Sequence, residues 1–160
     1  VIIRDDLMGH AMEKTPSLLD YTVYAKSHSL SNTNNTFAIY TMCLVMEWLK
    51  NQGGVEAMDK INTEKASTLY QVIDDSDFFM GAAYKEDRSV MNVTFTLPDD
   101  ALTQQFLAKA LENSLYALKG HRLVGGIRAS IYNAMPLEGC QALAAFMQEF
   151  ERTNGEVKEK

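Results

Sequence analysis

No apolar run in this sequence approaches the roughly 18 residues of a membrane span, which argues against a transmembrane helix. No signal peptide opens the chain; it starts Val1-Ile2-Ile3-Arg4 without an initiator Met and reads like a strand cut from something longer. Cysteine is scarce. The only two, Cys43 and Cys140, have no CxxC partner, which argues against a disulfide framework. Both sit in apolar helical patterns, so buried reduced thiols in a cytoplasmic protein are expected. No P-loop, HExxH, zinc pair, GxSxG or GxGxxG is present, and no metal site is expected. No repeat or low-complexity segment occurs. Positive charge is the minority sign, 15 Lys and Arg against 21 Asp and Glu, net −6. Such a chain is a poor general ligand for nucleic acid or an anionic membrane, and neither is expected as a partner.

What is present is a globular composition, 46% apolar and 22% charged. Val1 to Arg4 is a strand candidate, and Tyr21 to Tyr24 another. His28 to Asn35 is a polar loop. Thr36 to Lys50 reads as a strongly apolar helix buried on several sides, with Trp48 and most Met, Phe and Tyr in the core. After Gly53-Gly54, an amphipathic helix over 55–74 carries Met58, Ile61, the Lys65 stem, Leu69, Val72 and Ile73 on one stripe. Phe78 to Met80 and Ser89 to Leu97 read as strands, the latter alternating. Asp99 or Asp100 caps a helix to about Glu112 with Leu102, Phe106, Ala110 and Leu111 inward. Leu115 to Leu118 and Ile127 to Tyr132 are further strand candidates. Pro136 starts a helix with Leu143, Phe146, Met147 and Phe150 inward, and 154–160 is a frayed tail. Residues 77–153 thus read β-β-α-β-β-α, a small α+β layer with helices on one face of a sheet. Residues 1–76 offer too little sheet for a core of their own and look like part of a larger domain.

The charge is uneven. Between Glu112 and Glu138 there is no acid, yet Lys119, His121, Arg122 and Arg128 are there. The run from Lys119 to Asn133 combines a glycine-rich loop with a strand that holds Arg128 in its middle. Glycines let main-chain N–H groups approach a ligand, and an arginine fork matches a carboxylate or phosphate. The pattern points to a small anion with more than one acidic group. The plainer reading is a solvated basic face. A second candidate is Ser29 to Phe37, a polar loop entering a helix N-terminus. Capping by Asn35 or Thr36 accounts for it on local chemistry.

These two segments resemble the phosphoserine aminotransferase family, pyridoxal-phosphate enzymes of the class V aminotransferases. Lys119-Gly-His-Arg-x-Val-Gly-Gly-x-Arg-Ala-Ser-Ile-Tyr-Asn-Ala-Met-Pro-Leu-Glu-Gly139 is similar to the family's C-terminal signature almost letter for letter. Asn32-Thr33 before Thr36-Phe37, Trp48-Leu-Lys-x-x-Gly-Gly-Val55 and Arg88-Ser-x-Met-Asn-Val93 agree as well. The resemblance covers residues 1–155. It implies an α/β fold, a partial fold-type-I PLP-dependent transferase. Residues 1–76 would be the end of the large cofactor-binding domain and 77–153 the small α+β domain. It implies that Arg128 binds the α-carboxylate, that His121 and Arg122 bind the substrate phosphate, and that Asn32 and Thr33 reach the cofactor phosphate held by the other subunit of a homodimer with shared active sites. The substrates implied are glutamate and phosphorylated amino and keto acids, in serine and also pyridoxine biosynthesis.

The sequence departs from the family at Asn34-Asn35, where two prolines are usual, at Thr94 in place of Pro, and at Asn113-Ser114. The family's Schiff-base lysine lies upstream of the segment matching Val1. No catalytic residue is therefore expected within this chain, and the chain alone is expected to be inactive. Two rivals stand beside this reading: a class V aminotransferase for a non-phosphorylated acid, and a non-catalytic binding or dimerisation module.

Overall fold

The helix and strand boundaries follow from a few local signals, seen here in a computed structural model that describes residues 2–155. Two compact units divide at Trp48 and Leu49, and each is described by itself.

In the first unit, Asp20 caps the first helix, α1 (Tyr21–Lys26), its carboxylate accepting from the Thr22 N–H at 2.9 Å. This corrects the strand expected over 21–24: the cap supplies one of the donors' missing partners and outweighs the β preference of Tyr, Thr and Val. Ile2 to Arg4 form no regular structure and lead into a 3-10 turn at Asp5–Leu7, so the described part of the expected first strand is also corrected. Helix α2 (Thr36–Asn51) forms as expected, but none of its residues is buried. Cys43 is exposed, and Phe37 and Tyr40 are more than half exposed, so the expected burial of this helix is not met within this chain.

The second unit is built on α3 (Gly54–Asp74), β1 (Met80–Gly81), β2 (Asn92–Thr96), α4 (Asp100–Glu112), β3 (Ile127–Ser130) and α5 (Leu137–Asn154). The sheet order is β1-β2-β3, all antiparallel. Alternation sets its two faces. Val93, Phe95, Ile127 and Ala129 are buried against the helices, while Asn92, Thr94, Arg128 and Ser130 face the other way, half-buried. The core joins Leu69, Val72 and Ile73 of α3, Phe106 and Ala110 of α4, and Cys140, Leu143, Met147 and Phe150 of α5. Phe106 sits at its centre, with ring centroids 5.0 Å from Phe146 and 5.1 Å from Phe150 in edge-on contact. Such pairs add about 0.5–1.5 kcal/mol beyond burial.

Asp99 is the cap of α4, accepting from the Leu102 N–H at 2.7 Å. Four details differ from expectation. Leu115 to Leu118 is not a strand: Ser114 and Ala117 take left-handed backbone (φ 61° and 59°), which breaks an extended run, and only a bridge from Lys119 to Ile127 remains. The strand expected at 78–80 is the shorter β1. Ile61 and Leu111 are exposed, while the adjacent Asn62 and Ala110 are buried. The expected tail begins late: Asn154 still belongs to α5, and 156–160 lie outside the described residues. No described helix is long and apolar enough to cross a membrane.

Candidate anion-binding site

Arg128 is carried mid-strand on β3, opposite Thr94 of β2. Strand alternation turns it away from the core that Ile127 and Ala129 enter. Its guanidinium makes no hydrogen bond or ion pair among the described residues, although its Nε is fully covered by protein. The loop that precedes it is closed at the base. The Gly120 N–H donates to the Gly126 carbonyl at 2.9 Å, and the Arg128 N–H donates to the Leu118 carbonyl at 2.8 Å. Glycine is required at both ends of the closure. A Cβ on Gly120 would run into the Gly125 carbonyl. Gly126 has φ +65°, and a Cβ there would lie 2.7 Å from the Phe95 carbonyl.

Within the loop, the His121 carbonyl accepts from the N–H groups of Val124 (2.9 Å) and Gly125 (2.8 Å). The Leu123 N–H donates to His121 Nδ1 at 3.3 Å. In the neutral ring this assigns the proton to Nε2, the nitrogen left free to donate. His121 and Arg122 are exposed. Among the described residues, Lys119, Arg122 and Arg128 have no acidic partner, whereas Arg4, Lys85, Arg88 and Arg152 each have one. The acid-free window of the sequence is therefore an unneutralised cationic surface. The cavity of about 510 Å³ lined by Lys109, Phe146, Glu149 and Phe150 holds none of these residues.

Two polar arrangements near Arg128 were not singled out from the sequence as site features. Asn92 Oδ1 accepts from the Ser130 hydroxyl at 3.1 Å and the Tyr132 hydroxyl at 3.4 Å. Lys65 is wholly buried, and its ammonium donates to the Ile131 carbonyl at 3.2 Å and the Tyr132 carbonyl at 2.8 Å. Beside it, Asn62 Nδ2 donates to Asn133 Oδ1 at 2.9 Å. Together these hold the chain just beyond β3. Burial lowers the Lys65 pKa, and the nearby Cys140 thiol opposes that; burial raises the Cys140 pKa in turn. A lysine in the middle of an apolar stripe was the sequence signal for Lys65. The position of Asn92 opposite Ser130 needed the register.

Asn32 and Thr33 belong to the first unit, apart from the residues above, and are exposed. Their loop follows two left-handed residues, His28 (φ 50°) and Ser29 (φ 66°). Asn35 caps α2, its side-chain oxygen accepting from the Ala38 N–H at 3.1 Å. Asn32 Nδ2 donates to the Thr33 carbonyl at 3.2 Å. The main-chain N–H groups of Asn32 and Thr33 and the Thr33 hydroxyl donate to nothing among the described residues and are free to meet an acceptor. Among the described residues no group of three or more His, Cys, Asp or Glu gathers to hold a metal ion.

The family model Aminotransferase class-V matches residues 1–143. A phosphoserine aminotransferase studied for radiation damage at its Schiff base matches with a TM-score of 0.86 and 48% identity, over 94% of this chain and 42% of that one. The phosphoserine aminotransferase of Bacillus circulans subsp. alkalophilus gives 0.88 and 42%, over 96% and 43%. The PLP-bound phosphoserine aminotransferase of Trichomonas vaginalis gives 0.79 and 37%, over 86% and 40%. The chain thus spans about two-fifths of the length of the structures it matches.

Proposed function

The chain belongs to the class V aminotransferase family, and from that membership we propose that it is the substrate-selecting, C-terminal part of a phosphoserine aminotransferase. The complete enzyme moves an amino group from glutamate to 3-phosphohydroxypyruvate, giving O-phosphoserine and 2-oxoglutarate, in the cytoplasm. The related phosphorylated pair of pyridoxine synthesis is a second substrate class. Pyridoxal phosphate, when bound, supplies the electron sink and carries the amino group between the two half-reactions. The lysine that bears it lies outside these 160 residues; Lys65 is committed to two carbonyls and is no candidate.

The chain's own residues divide the work. Arg128 offers its fork to the α-carboxylate, in two parallel charge-assisted hydrogen bonds. His121 and Arg122 take the substrate phosphate, His121 through Nε2. Asn32 and Thr33 donate to the cofactor phosphate across the interface of a homodimer whose sites are shared. Residues 1–76 complete the large domain and 77–153 form the small one. Selection follows from what a wrong substrate leaves behind: without a phosphate, the donors of His121 and Arg122 stay unpaired.

One observation carries this reading: Arg122 and Arg128 have no acidic partner among the described residues, in a chain where acids outnumber bases. The test is His121→Asn with Arg122→Gln in the complete enzyme. The expected result is a loss of about 100-fold or more in kcat/KM for the phosphorylated substrate, with glutamate affected much less. Undiminished activity on the phosphorylated substrate would remove the phosphate assignment and favour a non-phosphorylated acid.

A further inference from the structure

The face that presents Arg128 holds a second polar group. In the β2–β3 register Asn92 stands opposite Ser130 and Thr94 opposite Arg128, so Asn92 and Arg128 are diagonal neighbours on one face. Sheet geometry puts such neighbours about 7–8 Å apart, within reach of a long side chain and a small ligand between them. An amide has one oxygen with two lone pairs and one NH2 with two donors. Both lone pairs of Asn92 Oδ1 are engaged, one by the Ser130 hydroxyl and one by the Tyr132 hydroxyl. The oxygen is therefore held on the β3 side. The NH2 is turned away from those hydroxyls and makes no hydrogen bond among the described residues.

A half-buried residue with its acceptor saturated and both donors free is available to an acceptor that a ligand brings. A carboxylate has about four acceptor positions, and one arginine fork uses two of them. We propose that Asn92 is a further substrate-binding residue, its side-chain NH2 donating to the carboxylate that Arg128 holds. Ser130 and Tyr132 are positioning residues that fix which way the amide points. The proposal rests on the reading of Arg128 as the carboxylate ligand.

The test compares Asn92→Ala, the double variant Ser130→Ala with Tyr132→Phe, and Arg128→Gln in the complete enzyme. Four quantities are read: KM for the amino donor, KM for the keto acceptor, the inhibition constant of inorganic phosphate, and the thermal midpoint. Asn92→Ala is expected to raise both KM values about 10-fold or more, since both substrates carry the carboxylate, and to leave phosphate inhibition unchanged. The double variant keeps the amide but frees it to rotate, and should raise both KM values by less. Unchanged KM values in Asn92→Ala overturn the proposal. Where that variant loses its thermal midpoint, the double variant decides, and unchanged KM values there overturn it equally. Arg128→Gln separates the two levels. If it raises KM and Asn92→Ala does not, the Asn92 assignment alone fails. If Arg128→Gln leaves KM unchanged, the carboxylate reading of the whole face fails with it.

Discussion

Arg88 and Arg128 belong to the same compact unit, one in the loop before β2 and the other in its partner β3, and keep opposite company. Arg88 grips Asp74 in a fork, Nη2 to Oδ1 at 2.6 Å and Nη1 to Oδ2 at 2.9 Å. Its guanidinium lies 4.5 Å from the ring centre of Tyr70, whose hydroxyl donates to the Ser89 carbonyl at 2.9 Å. Lys85 adds a second cation 3.1 Å from Asp74. The result is a knot between the end of α3 and the loop before β2, and every charge in it is answered. Arg128 has no answering charge at all. The difference lies in what each neighbourhood supplies. Arg88 has Asp74, Asp75, Asp77, Glu86 and Asp87 around it in sequence, whereas Arg128 sits in a window that holds no acid from 113 to 137. A paired arginine ties structure together. An unpaired one on a half-buried strand face is left for a ligand.

The largest effect that could break this comparison comes from exchanging the arginines for glutamine one at a time in the complete enzyme. Arg128→Gln removes two charge-assisted hydrogen bonds worth about 1.5–3 kcal/mol each. Its kcat/KM should fall about 100-fold or more, with the thermal midpoint nearly unmoved. Arg88→Gln should do the reverse, lowering the midpoint and leaving KM alone. A thermal loss in Arg128→Gln as large as that in Arg88→Gln would mean that Arg128 is a structural residue too.

The sequence carried the contrast only in part. The acid-free window was readable, and so were the faces of β2 and β3, because a period of two survives in Asn92 to Thr96 and Ile127 to Ser130. Helices α3 and α5 were readable from their stripes. The misreadings arose where one contact overrides a local preference. Asp20 turned a β-rich tetrapeptide into α1, and left-handed Ala117 cut short an apolar run that otherwise extends. The candidate cations could be named from sequence, but whether each had a partner could not, since Asp74 reaches Arg88 across 14 residues. Asn92 was visible as one face of a strand and became informative only through its register with Ser130.

Lys65 sharpens the comparison as a third kind of cation, answered neither by an acid nor by a ligand but by two main-chain carbonyls. Lys65→Met keeps the buried stem and strips the donors from Ile131 and Tyr132. Each buried carbonyl left bare costs about 1–3 kcal/mol. The variant should be destabilised by that order, as read by chemical denaturation, with KM for both substrates unchanged. The pH dependence gives an independent check. Burial lowers the folded-state pKa, so between that lowered value and the ordinary lysine value the unfolded chain binds more protons and stability rises with pH. Lys65→Met should lose that alkaline rise.

The smallest effect is expected at Asp74, because its side chain is 28% exposed and water screens the pair. Asp74→Asn keeps the size of the side chain, removes its charge and leaves one of the two acceptor oxygens that the fork uses. Hydrogen bonds from Arg88 and then Lys85 hold the Asp74 carboxyl well below the usual carboxylate range. As pH falls through that range, the unfolded chain takes up a proton that the folded one refuses. The contribution of Asp74 is therefore fully present above the ordinary carboxylate value and is lost as pH falls below it, toward the depressed folded value. The stability gap between the natural chain and Asp74→Asn should be widest near neutrality and close progressively in acid, with KM for both substrates unchanged throughout. A gap that stays constant with pH would show that the contribution of Asp74 does not depend on its charge. A shift in KM would show that the paired corner and the unpaired strand are not separate after all.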